Sequence, residues 1–152
     1  MGIADDKNTK NIDQLNSFLR GEMSAVETYR IALEKLEASS TYRTQLESAR
    51  SSHLQRVNKL KEKIRQLGGK PSDTAGAWGT LTEVIESGAA LLGDKMAVSA
   101  LEEGEDHGLR DYRIDLDSLS GETRQLVMTD LLPKQAETHR LLSDLKLRLA
   151  QA

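Results

Sequence analysis

The stretch from Ile12 to Leu36, IDQLNSFLRGEMSAVETYRIALEKL, decides the fold. Ile12, Leu15, Leu19, Glu22, Val26, Tyr29, Leu33 and Leu36 recur at alternating steps of three and four, which keeps them on one stripe of an α-helix. Every member is apolar except Glu22, which stands midway along the face that must be buried. A buried, unpaired carboxylate costs several kcal/mol, so it requires a metal, a cation or a proton. The stripe therefore predicts a helical bundle with a polar site inside it.

Working outward, three more long helices can be drawn. The first helix is expected from Asn11, as a cap with Gln14 three residues on, to Ala38, leaving residues 1–10 as a flexible N-terminus and 11–152 as a single domain. The second, from Tyr42 to Leu67, carries Leu46, Ala49, His53, Val57, Leu60 and Ile64 on one face, and Gly68-Gly69 with Pro71 ends it. A Gly/Ser-rich connection follows, with a short helix around Trp78, Leu81, Ile85, Gly88 and Leu92, where Trp78 is expected to anchor the connection to the bundle. Asp94 then caps the third long helix, with the stripe Val98, Leu101, Glu105, Gly108 and Tyr112. The fourth carries Met128, Leu131, Gln135, His139, Leu142 and Leu149, with Pro133 expected to kink rather than end it.

Short turns join helices one to two and three to four, which makes each pair an antiparallel hairpin. About 25 residues separate the second and third, enough to run the length of a bundle at the helical rise. The fold class is therefore all-α: a ferritin-like four-helix bundle with a long crossover between its second and third helices.

Composition narrows the function. Leu, Ala, Glu, Lys, Arg and Gln dominate the 152 residues, as in long helices, and there is no cysteine for a disulfide, a thiolate ligand or a nucleophile. A formal charge of -3 with both signs interspersed argues against nucleic acid as a partner. The polar start and the lack of an apolar run of spanning length argue against a membrane and for a cytoplasmic protein. A homodimer is an acceptable assembly. A storage cage is not expected, because the sequence stops with the fourth helix.

Each stripe is interrupted near its middle by a polar residue: Glu22, His53, Glu105 and Gln135/His139. Carboxylates on two helices and histidines on the other two form the skeleton of a di-metal carboxylate site, and Glu with neutral His suits iron, manganese or zinc. Tyr29 and Tyr112 are placed to lend hydroxyls to the site. Glu102 is a second carboxylate beside Glu105, whereas His107 reads as part of a solvated face.

Residues 15–29, in the pattern L-N-x-x-L-x-x-E-x-x-A-x-x-x-Y, resemble the first helix of bacterioferritins. That resemblance implies a metal-ligand role for Glu22, with Tyr29 beside the site. His53 followed by Leu60, Ile64 and Leu67-Gly68-Gly69-Lys70-Pro71 resembles the end of the second ferritin helix. The chain as a whole is similar to the ferritin-like superfamily of bacterioferritin and rubrerythrin type, and most similar to a bacterial family of small ferritin-like bundles of unassigned function. The segments Ala100-Leu101-Glu102-Glu103-Gly104-Glu105 and Pro133-Lys134-Gln135 to His139 recur there.

A ferritin-type di-iron site needs Glu-x-x-His on the second and fourth helices, but Arg50 and Ala136 stand three before His53 and His139. Arg50 is therefore expected to neutralise Glu22 or Glu105. The leading expectation is a non-storage protein with a stress or redox role by resemblance, whose altered site holds one metal ion through Glu22, His53, Glu105 and His139. Arg50, Tyr29, Glu102 and Gln135 support that site. Two alternatives stand beside it: a metal-free bundle acting as a binding or oligomerisation module, and a di-iron or manganese oxidase or peroxidase.

Overall fold

The computed structural model describes residues 3–36, 40–75 and 94–151, and among these every regular element is helical. Helix α1 spans Ile3–Lys35, α2 Arg43–Gln66 and α3 Asp94–Asp115. After a single 3₁₀ turn, Leu116–Ser118, α4 (Gly121–Leu126) passes through a π-helical turn, Val127–Leu131, into α5 (Leu132–Gln151). The last three form one continuous fourth rod. No helix among the described residues is long and apolar enough to cross a membrane.

Side-chain bonds fix the topology. Asn8 near the start of α1 donates to the Leu67 carbonyl at 3.0 Å, and Arg43 at the start of α2 donates to Leu33 and Leu36 carbonyls near the end of α1. The pair is therefore antiparallel. Likewise Glu102 meets Ser143 and Lys146, and Glu105 meets Gln135, so α3 and α5 form the second antiparallel pair. Helix α2 ends beside the start of α1, whereas α3 starts at the opposite end, where Ser40 donates to Asp94 at 3.1 Å. The chain thus runs the bundle length between α2 and α3, the long crossover of a ferritin-like four-helix bundle. The short helix expected around Trp78 lies outside the described residues.

One boundary departs from expectation. Helix α1 begins at Ile3, so residues 3–10 are helical and Asn11 lies inside the helix rather than capping it. Asp5 and Asp6 in the first turn favour the positive end of the helix dipole, and Asn8 and Asn11 tie this segment to Leu67 and Ser120. In the fourth rod, the helix continues through Pro133, as expected, by widening the turn before it. Proline lacks an N–H and its ring crowds the carbonyl four residues back. The Leu132 N–H reaches the Val127 carbonyl, five residues back, and the rod resumes. This wider turn buries Val127 and leaves Met128 outside, at 40% exposure.

Helix α2 ends as its sequence requires. Gly68 adopts φ +83°, its N–H bonds the Arg65 carbonyl and the Gly69 N–H bonds that of Ile64, the paired bonds of a Schellman motif.

The core has two apolar layers. One gathers Ala25, Tyr29, Leu46, Leu101, Leu142 and Leu145; the other gathers Leu15, Leu19, Leu60, Ile64, Tyr112 and Leu131. Between them lies a layer of buried polar side chains: Glu22, His53, Arg56, Glu105, Gln135 and Thr138.

Candidate functional site

His53 stands at the centre of this polar layer. Its Nδ1 lies 2.7 Å from Glu22 Oε2, and its Nε2 lies 2.8 Å and 3.0 Å from the two Glu105 oxygens. The side chains of all three are almost wholly buried. Helices α1, α2 and α3 each deliver one group, because each apolar stripe carries its polar interruption at the same depth. Of the four residues expected to share one layer, Glu22, His53, Glu105 and His139, the structure brings the first three together.

The cation beside them is Arg56. It is 1% exposed, places Nη1 3.4 Å from Glu22 Oε1, donates from Nη2 to Thr138 Oγ1 at 3.1 Å and from Nη1 to Gln135 Oε1. Its Nη2 also lies 3.0 Å from His53 Nδ1. Arg50, expected in this role, is elsewhere, in a groove between α1 and α2. Relative to His53, Arg50 and Arg56 point about 60° to opposite sides of the buried stripe. Helix α5 packs on the Arg56 flank and supplies Gln135 and Thr138 as acceptors. Spacing alone does not separate the two: Arg56 stands three after His53 and four before Leu60, as Arg50 stands four after Leu46 and three before His53.

His139 is not part of the site. The buried line of the fourth rod runs Leu131, Gln135, Thr138, Leu142 and Leu145, so the step after Gln135 is three residues rather than four. His139 is turned one position round the helix, 25% exposed, with Nε2 3.4 Å from Glu102 and 3.6 Å from Asp106. Glu102 likewise serves His139, Ser143 and Lys146 rather than the buried layer. Thr138, at the position expected for no functional group, takes the inward place.

The remaining expected members close the network. Tyr112 donates to Glu22 Oε1 at 2.9 Å and Tyr29 to Glu105 Oε2 at 3.3 Å. Gln135 Nε2 donates to the Glu105 carbonyl at 2.9 Å. It can do so because position 108 is glycine: a Cβ there would lie 2.8 Å from Gln135 Nε2.

Electrostatics follow from this arrangement. Burial pushes the Glu22 carboxyl up, but Arg56, His53 and Tyr112 outweigh it and hold the group below its ordinary value. Burial pushes His53 down, and the nearby Arg56 also opposes its charge, yet Glu105 and Glu22 raise it above its ordinary value. Both tyrosines are held far up by burial and by the adjacent carboxylates, and so remain hydroxyl donors. An imidazolium donates to a carboxylate from each nitrogen. With a proton on each nitrogen, His53 would point one N–H toward each carboxylate, beside the Arg56 cation near Glu22.

This donor set does not fit a metal ion. Glu22 and Glu105 bind opposite nitrogens of His53, so the three groups do not converge on one point, and Arg56 occupies the Glu22 side. Among the described residues no three His, Asp or Glu side chains are grouped to hold a metal. A cavity of about 50 Å³ between α1 and α3, flanked by Gly21 and Gly108, reaches Glu22 and His53. That is room for water-sized molecules.

Residues 10–117 match the family described as "Domain of unknown function (DUF2383)". The solved structure described as ferritin-like, diiron-carboxylate proteins from Bacillus anthracis str. Ames is similar over 99% of this chain and 98% of that one, with 20% identity and a TM-score of 0.62. No curated protein matches the chain.

Proposed function

Since this chain belongs to the DUF2383 family, a domain of unknown function, and folds as a ferritin-like bundle, we propose that it is a non-storage protein in which an internal cation has taken the place of the metals. The B. anthracis protein is described as a diiron-carboxylate protein. In this chain Arg56 and protonated His53 supply the positive charge that metal ions would otherwise bring to two buried carboxylates. The core is then a closed, charge-neutral network that holds four helices in register. The protein acts as a binding or assembly module through its outer surface, not as an iron or manganese oxidase.

The single observation behind this reading is the Arg56 guanidinium within 3.4 Å of Glu22, at the centre of the polar layer. Entry of a divalent ion would require His53 to lose its proton and Arg56 to leave two hydrogen-bond partners. The test is anaerobic loading of the protein with iron(II), manganese(II) or zinc(II), followed by desalting and elemental analysis. Wild-type protein should retain no stoichiometric metal. One or two ions per chain, lost on Glu105→Gln or His53→Ala, would overturn the proposal and restore a metal centre.

A further inference from the structure

The outer groove between α1 and α2 has a volume of about 410 Å³ and is lined by Arg30, Leu33, Glu34, Arg43, Glu47 and Arg50. That volume lies within the range of small-molecule pockets. Two of the three arginines are already committed. Arg30 is paired with Glu27 and Glu34, and Arg43 donates from Nη2 to the Leu33 and Leu36 carbonyls while its Nη1 lies 3.9 Å from Glu47.

Arg50 differs. It makes no ion pair among the described residues, and its Nε is buried with no hydrogen-bond partner. Arg50 also acts on Glu27, whose carboxyl is held down first by Arg30 and least by Arg50. A buried donor without an acceptor costs about 1–3 kcal/mol, more when charged. Arg50 lines the groove with this unmet donor, and no hydrogen bond or ion pair to its terminal nitrogens occurs among the described residues. Arg43, two turns earlier on the same face of α2, adds a second positive charge, and Leu33 gives the groove an apolar wall.

We propose that this groove is an oxyanion site, in which Arg50 is the principal donor and Arg43 flanks it, for a small phosphate-bearing molecule. A guanidinium fork matches phosphate oxygens in geometry as well as in charge. The inference is independent of whether the core holds a metal, because none of the groove residues belongs to the polar layer.

The experiment uses the full chain at low ionic strength with inorganic phosphate as the probe and sodium chloride as the control. The side-chain Nε–H resonance of Arg50 is followed by ¹H–¹⁵N NMR. Saturable movement of that resonance with phosphate, and not with chloride, is expected. Arg50→Gln should weaken binding about tenfold or more, as measured by calorimetry, which is the loss of one charge-assisted hydrogen bond. Arg50→Lys keeps the charge without the fork and serves if the glutamine variant folds poorly; it should also weaken binding. No saturable shift, an equal response to chloride, or undiminished binding in both variants would overturn the proposal.

Discussion

With a guanidinium 3.4 Å from Glu22 and 3.0 Å from His53 Nδ1, two buried carboxylates share the layer with a fixed cation as well as a histidine. Removing one partner from a buried ion network leaves uncompensated charge and costs about 3–5 kcal/mol. Arg56→Leu should therefore lower unfolding free energy by about that much in urea titrations. A loss under about 1 kcal/mol would mean that Arg56 is not the counter-ion. Manganese(II) should stabilise that variant and leave the wild type unmoved, since only the variant has two carboxylates short of positive charge. His139→Ala should change stability by no more than about 1 kcal/mol, because Asp106 is open to solvent and Glu102 keeps Ser143 and Lys146 as partners. Glu22, His53 and Glu105 were legible because each breaks an apolar stripe. Arg56 and Arg50 flank the stripe of α2 symmetrically, three residues either side of His53, so spacing alone does not choose between them.

At the scale of elements, the contact of α3 with α5 depends on Gly108. A methyl group there would approach Gln135 Nε2 to 2.8 Å and drive the amide away from the Glu105 carbonyl. Alanine also gains about 1 kcal/mol of helix propensity over glycine. In the wild-type background the lost hydrogen bonds of buried groups should win, giving net destabilisation of roughly 1–2 kcal/mol. In a Gln135→Ala background the same Gly108→Ala change should instead stabilise by up to about 1 kcal/mol. A double-mutant cycle by denaturant unfolding measures this reversal, and equal effects in both backgrounds would refute the packing account. The same helix shows why spacing alone misplaced His139. Steps of three and four are both helical, and the choice is made by the phase in which α5 leaves the π turn before Pro133.

For the whole molecule, the network ties stability to pH. His53 is raised in the folded state above its ordinary 6.5, so its contribution is complete below about pH 6.5 and is lost as pH rises through the folded value. Glu22 is lowered below its ordinary 4.5, so its contribution is complete above about pH 4.5 and is lost as pH falls through its folded value. Stability should therefore peak between about pH 4.5 and 6.5 and decline on the alkaline side. Thermal unfolding from pH 4 to 9 should show this decline in the wild type and a flatter alkaline limb in His53→Gln. A wild-type curve that rises from pH 6.5 to 8 would contradict the imidazolium assignment.

The sequence by itself determined the four long helices, their hairpin pairing, the crossover and the depth at which polar groups enter the core. Those follow from local periodicity, turn chemistry and the length of the connections, all of which are written along one chain. Only the tertiary structure decided which cation meets Glu22, whether residue 138 or 139 of α5 faces inward, and how Glu22 and Glu105 divide the two nitrogens of His53. These depend on which neighbour packs on each flank of a helix. A rotation of one residue, about 100°, is enough to move a histidine from a buried layer to a half-buried flank.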